Sequence, residues 1–385
     1  MQLKIKRFFH RLKVTVNELF ISKLLLNLLR KKKGSAGRLY QVLSIPQNQL
    51  GVNSRILSDP ISIPRCEPQL YYPGSIEQEY LKKLVTSGDD CTCAGIISAT
   101  DVDVSFPIGM HLWKRKVFEE ALLGNELFLN PKYVLDLELI PLKKKKNLSE
   151  SVLLSMHWHH NFFHWLVEIL PRLQLYDLAE DLHELPLIVP KSSPKFVRDS
   201  LTLTGYIDRV VFVDDGVYRF EKLHLLTRLS KSPHVSPLAI EWLNNKICGK
   251  QSCQKKRIYI SRSDAKIRHL TNELDVERIL SDFGFETVVM SQYTLEQQIQ
   301  IFRQAEMILG SHGAAFTHLA FARPGSIFME FFEQGHFNPA YYRIAGLRKL
   351  KYGFMVGKKD GLGFSVDTAQ LKTLVEKALY SQCSS

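Results

Sequence analysis

The chain has 385 residues, 45% of them hydrophobic, which is the size and composition of a globular protein with two packed domains. Its net charge of +12 suggests a nucleic-acid partner, but residues 1–33 carry ten Lys or Arg against Glu18 alone. The body is therefore nearly balanced, and no basic nucleic-acid face is expected. Six cysteines without a paired CxxC framework exclude a zinc ribbon and point to a reducing compartment without structural disulfides; Cys91 and Cys93 read as loop cysteines.

In residues 1–33 the charges interrupt apolar runs of no more than three residues. A membrane-spanning helix needs about 20 apolar residues, and a signal peptide needs an unbroken apolar stretch and a cleavage site. Two readings remain: a basic amphipathic helix lying on an anionic membrane surface, or a helix packed on its own domain. The first places the protein in the cytoplasm, at the inner face of the cell membrane. Residues 34–75, rich in Gly, Ser, Pro and Asn, read as a loop-heavy approach to a first domain over 60–235. Within it, Asp101-Val102-Asp103 has the letters of an Asp-x-Asp metal motif, but its apolar neighbours favour a strand or loop. Lys143 to Lys146, after Pro141, read as an exposed loop. Leu185–Val189 and Val210–Val213 are short apolar runs consistent with buried parallel strands.

Over 236–385 the alternation becomes regular. The pattern predicts a helix at Leu238–Ile247, strand Arg257–Ser261, helix Asn272–Phe283 ended by Gly284, and strand Glu286–Met290. Helix Leu295–Ala305 follows, opened by a capping box between Thr294 and Gln297. Strand Met307–Leu309, helix Ala314–Phe321, strand Ser326–Phe331, a helix around Tyr341, strand Tyr352–Val356 and helix Thr368–Tyr380 complete the domain. Strands alternating with helices imply crossovers, hence a parallel doubly wound α/β sheet whose ligands sit beyond the carboxyl ends of the strands.

Three segments carry chemistry. Gly310-Ser311-His312-Gly313-Ala314 lies between a short strand and a helix, where small residues and helix N–H groups suit a diphosphate. Glu330, one strand later, is placed to accept ribose hydroxyls. Arg262, just past strand Arg257–Ser261, with Arg268 and Asn272 downstream, suits phosphate oxygens. In the first domain, His160, His164 and Glu168 are spaced four apart and would share one helix face with Asn161 nearby. Because His160-Asn161 departs from the HExxH order, acid–base or substrate contact is favoured over metal. His157 and His159 read as core histidines.

These segments resemble glycosyltransferase family 61. Asn161-Phe162-Phe163-His164-Trp165 with Glu168 and Leu170-Pro171-Arg172-Leu173 resembles the family's N-(Y/F)-(Y/F)-H-W…E…LPR stretch. Ser261-Arg262 through Arg268, Asn272 and Glu273 resembles its SR…R…NE stretch, Gly310 to Ala314 its G-x-HGA turn, and Pro324-Gly325…Glu330 its PG…E strand. The chain departs from the family at His318, where Asn is frequent. The resemblance implies a GT-B architecture of two Rossmann-like domains facing a central cleft, an inverting reaction, and a nucleotide-sugar donor, commonly UDP-linked, handled without a metal or other cofactor.

Together these readings describe a transfer of sugar to a hydroxyl of a glycan or polysaccharide. The donor diphosphate rests at Gly313–Ala314 against Arg262 and Arg268, Glu330 holds the ribose, and His164, oriented by Glu168 or Asn161, is the general base. Competing readings are a catalytically inactive glycan- or nucleotide-binding protein and a histidine-based metal hydrolase.

Overall fold

The computed structural model describes residues 41–43, 52–58, 78–82, 94–114, 116–118, 137, 139–229, 234–247 and 254–383. The basic segment 1–33 and Cys91 and Cys93 lie outside the described residues. Two strands fall within the stretch expected to be loop-heavy: β1 (Gln41–Leu43) and β2 (Val52–Ser58). The first half continues with β3 (Ala94–Phe106), β4 (Met110–Leu112), β5 (Lys116–Phe118), β6 (Lys145–Leu148), β7 (Ser151–Leu153), β8 (Leu187–Pro190), β9 (Val210–Val213) and β10 (Gly216–Leu226).

Eight of these strands form one sheet in the order β2-β3-β10-β7-β8-β9, with β4 added to β3 and β6 to β10, while β1 pairs with β5. The sheet is mixed. β3 lies antiparallel to β2, β4 and β10, whereas β10 is parallel to β6 and β7 and the run β7-β8-β9 continues parallel. This departs from the parallel Rossmann-like first domain that the family resemblance implies. The physical reason is visible in the alternation: β10 buries Leu223 and Leu225 but places Lys222 and His224 on the opposite face, a polar face that an antiparallel pairing tolerates and a helix-covered parallel sheet does not.

Two further expectations change here. Lys145 and Lys146 belong to a strand, not a loop, and Lys145 Nζ reaches Asp103 at 2.6 Å, with Arg219 on the same carboxylate. Asp103 is thus held in ion pairs, and those cations, set against its burial, leave its pKa below the usual carboxylate value. The strand β9 forms the sheet edge with Val211 exposed, so it is not the buried strand its composition suggests.

The second half contains β11 (Lys256–Ser261), β12 (Phe285–Val289), β13 (Ala305–Ser311), β14 (Ile327–Glu333), β15 (Lys351–Asp360) and β16 (Gly363–Ser365), ordered β12-β11-β13-β14-β15-β16. All neighbours are parallel except β15 and β16. Every helix expected between these strands forms, including the Thr294–Gln297 capping box. The segment Ala314–Phe321 is a 3-10 helix in place of the α-helix expected. It is buried from Phe316 to Phe321, and the His318 ring bonds the carbonyl three residues back at Ala315, a spacing that matches the tighter winding.

Side-chain alternation divides the second sheet cleanly. Tyr259, Met307, Leu309, Met329 and Phe331 join a core with the helices Glu273–Asp282 and Thr368–Cys383. Ile258, Ile260, Ile308, Phe328 and Phe332 face the other way and merge into one cluster with Val152, Phe163, Leu166 and Leu225 of the first half. Among the described residues, no helix is long and apolar enough to cross a membrane.

Candidate active site where the two sheets meet

The parallel order β11-β13-β14 brings the carboxyl ends of three strands to one edge. At the first end stands Arg262, at the second His312-Gly313, and at the third the turn carrying His336. Gly310 has φ of +158° and a Cβ there would lie 2.7 Å from the Ile260 carbonyl oxygen, so the strand crossing excludes any side chain. Gly313 has an extended backbone that any residue adopts, and its constraint comes from outside: the Arg262 guanidinium packs directly on it. Ser311, His312 and Gly313 are buried, whereas Ala314 is exposed. The turn therefore opens to solvent where the helix begins, and the first N–H groups of a helix have no acceptor within it.

Two arginines crowd this edge, with Glu273 Oε1 accepting from the Arg262 backbone N–H at 3.3 Å. Arg262 donates to the Ile267 carbonyl at 3.2 Å and Arg268 to His336 Nε2 at 2.8 Å. Both Nε atoms are buried with no partner, and among the described residues neither arginine forms an ion pair. Burial, followed by repulsion from Arg268, pulls the Arg262 pKa down. His336, half-buried and facing His312 and Arg268, is pushed down to about 4 by that burial and by the two neighbours, and so stays neutral, its Nε2 accepting from Arg268. Arg268 is held at φ +58°, a strained conformation for a side chain of this size.

Glu330 does not reach this surface. It is fully buried, its Oε1 accepting from His312 Nδ1 at 2.5 Å and its Oε2 from the Tyr352 hydroxyl at 2.8 Å. Both oxygens are spent inside the protein, so Glu330 orients His312 and is not available to a ribose. Asn272 is likewise occupied, with its amide donating to the Val366 carbonyl and accepting from the Val366 N–H. It fastens the start of its helix to the chain after β16, away from the role expected of it.

The first half contributes the turn after β7. His164 Nδ1 donates to Glu168 Oε2 at 2.8 Å, with Glu168 fully buried and the His164 side chain 20% exposed. This fixes the tautomer and leaves Nε2 as the open acceptor. Asn161 acts on the backbone: its Oδ1 accepts from the N–H groups of Phe163 and His164. Residues His164–Ile169 form a π-helix, closed by the Leu170 N–H bonding the Trp165 carbonyl; Pro171, lacking an N–H, cannot continue the α-helical ladder. His160 lies in the turn before the helix, exposed and stacked on Trp158, so the expected three-residue helical face reduces to His164 and Glu168. Trp158, at φ +69°, also lies against His164. His157 and His159 are core histidines as expected, His159 Nδ1 donating to Met156 O at 3.0 Å, and burial pushes both pKa values down to about 4.

Tyr341 joins the halves. Its ring meets Phe163 at 5.8 Å and His312 at 4.9 Å. Burial, then Glu330, raises its pKa far above the ordinary phenol value, so it remains a neutral hydroxyl. Tyr341, His336, Tyr352 and Trp158 escaped sequence reasoning. His336 follows Gly335 at the end of β14 and could have been found by applying the strand-end rule once more; the others are aromatic residues that read as core. Arg172 is another addition: fully buried, it donates from Nε to the Glu168 carbonyl at 2.7 Å, from Nη1 to the Leu226 carbonyl at 3.1 Å, and to the Met156 sulfur, tying the π-helix to β10. Among the described residues no group of three His, Cys, Asp or Glu side chains converges as metal ligands would.

Comparison with known families and proteins bears on this geometry. No curated protein matches the chain. The family model described as Glycosyltransferase 61 matches residues 162–329, which begin at Phe162 beside the His164 dyad and include the Arg262 loop and the Gly313 turn. Residues 162–329 are therefore similar to glycosyltransferase family 61, in agreement with the resemblance of the motifs they contain.

Proposed function

We propose that the protein is an inverting glycosyltransferase that moves a sugar from a nucleotide-sugar donor, UDP-linked, to a hydroxyl of a glycan or polysaccharide acceptor. The observation that carries the reading is the pair Arg262 and Arg268, which hold two buried unpartnered Nε–H groups at the open Gly313 turn and whose guanidiniums form no ion pair among the described residues. An unmet N–H on a half-buried guanidinium is costly, and a diphosphate supplies both the acceptor and an anion. The helix amides at Ala314 favour the same charge.

In this reading the donor phosphates lie against Arg262, Arg268 and Ala314, and both arginines counter the charge that builds on the leaving phosphate. His164 Nε2 takes the proton of the acceptor hydroxyl as it attacks the anomeric carbon from the opposite side, and Glu168 stabilises the imidazolium that forms. Glu330 keeps His312 oriented at the phosphate edge. In this reading the two sheets serve as the two halves of a GT-B-like arrangement whose first half is a mixed sheet, and the chemistry needs no metal or cofactor. The protein works in the cytoplasm, with residues 1–33 resting on the anionic inner face of the membrane.

Titration of UDP into the purified chain by calorimetry tests the reading. Arg262→Ala and Arg268→Ala are expected each to weaken UDP roughly ten-fold to a hundred-fold, the loss of a charge-assisted phosphate contact. Undiminished UDP affinity in both variants would remove the phosphate site from this edge.

A further inference from the structure

On the outer face of the first sheet is a cavity of about 340 Å³ that shares no lining residue with the Arg262 edge. It is built by register. Asn53, Ser98 and His224 stand directly across from one another on β2, β3 and β10, Thr100 stands across from Lys222, and Arg55 across from Ile96. Because side chains alternate, these residues share the face opposite Leu223 and Leu225, which lie in the core.

The wall is a fixed hydrogen-bond chain. Ser98 Oγ meets His224 Nδ1 at 2.8 Å, and His224 Nε2 meets Glu150 Oε1 at 2.8 Å. With Glu150 accepting, His224 carries its proton on Nε2 and accepts from the serine hydroxyl, which leaves the Ser98 oxygen lone pairs open to the cavity. The charges at the rim are already paired: Arg55 with Asp181 at 2.9 Å, and Lys222 with Glu150 at 2.6 Å. An ion entering would have to compete with these pairs. A neutral ligand rich in hydroxyls would instead find donors and acceptors on three adjacent strands, about 4.8 Å apart, beside the apolar Ile96. The volume falls within the roughly 300–1,000 Å³ of small-molecule sites.

We propose that this cavity is a carbohydrate subsite that seats a neutral sugar unit of the acceptor glycan away from the point of transfer. Sugar binding stands on the cavity alone; its assignment to the acceptor rests on the transferase reading. β7 begins beside Glu150 and leads into the His157–His164 turn, so one short strand joins the two places.

The test uses the full chain without nucleotide, with saturation-transfer NMR and calorimetry against xylo-, malto-, manno- and chito-oligosaccharides, and with UDP titrated separately. At least one series is expected to bind. Thr100→Trp, which fills the cavity from an exposed position, is expected to weaken it more than about ten-fold, and Asn53→Ala to weaken it by less. UDP affinity is expected to be unchanged in both variants. No binding by any series, binding indifferent to Thr100→Trp, or competition for the cavity by inorganic phosphate would overturn the proposal. Loss of UDP binding by the wild-type chain with sugar binding intact would overturn the transferase reading and leave the cavity a sugar site.

Discussion

The guanidinium of Arg262 occupies the space that a side chain at Gly313 would need, since a Cβ placed there would lie 1.8 Å from Nη1 and 2.9 Å from Cζ. A glycine that reads as a phosphate-turn residue is therefore also the seat of an arginine from the neighbouring strand end. Gly313→Ala, which the extended backbone accepts, is expected to displace the guanidinium. It should weaken UDP about as much as Arg262→Ala does, and the double variant should be no worse than either single one, because both remove the same contact. Additive losses by calorimetry would show that the glycine acts on its own.

His164 and Glu168 form a pair in which only the imidazole meets solvent. His164→Ala is expected to lower kcat roughly 10²-fold to 10⁴-fold with UDP affinity kept, as loss of a general base does. Glu168→Gln keeps the shape but removes the charge that supports the imidazolium, so it should also lower kcat. Transfer at the wild-type rate in the His164 variant would move the base elsewhere.

His318 is fully buried between Phe162 at 4.9 Å and Phe302 at 5.3 Å, with Nδ1 on the Ala315 carbonyl and Nε2 bare. Burial pushes its pKa down to about 4 from 6.5. The unfolded chain binds the proton more readily, so the stability held by the neutral ring is complete above pH 6.5 and is lost as the pH falls towards 4. At pH 5 the loss is on the order of 2 kcal/mol. His318→Phe should reduce the acid sensitivity by this share, leaving that of the other buried histidines, as measured by urea unfolding at pH 7 and pH 5.

Tyr80 reaches from the first half to the turn that carries His336. Its hydroxyl accepts from the Gly335 N–H at 2.7 Å, and its ring packs on Phe332 and Phe337. Tyr80→Phe keeps the packing and removes the bond. Through His336 and Arg268 it is expected to raise the donor KM about three-fold to ten-fold with kcat nearly unchanged. An equal fall in kcat would assign the turn to the chemical step instead.

The second sheet was legible in the sequence because each strand and helix there announces itself locally: Thr294 and Gln297 cap one helix, Gly284 ends another, and the short apolar runs alternate with amphipathic ones. The first sheet was not, because β3 and β10 pair across more than a hundred residues of sequence and their polar face follows from that pairing alone. In the site, residue types and strand-end positions pointed to Arg262, Gly313 and His164, but which partner each takes depends on register. Glu330 looked free for a ligand until β15 placed Tyr352 beside it. Asn161 looked like a ring partner, and its side chain turned to the backbone. The spacing of His160 and His164 fitted an α-helix, whereas Pro171 and the turn at Trp158 imposed another winding.

The packing of Phe162 on His318, together with that of Phe163 on Tyr341, means that neither half of the molecule has a finished interior by itself. Melting should accordingly be all-or-none, with a single calorimetric endotherm whose van't Hoff enthalpy equals the measured heat. Severing the chain between residues 229 and 234 would leave two fragments with sticky apolar faces that regain structure only by reassociating.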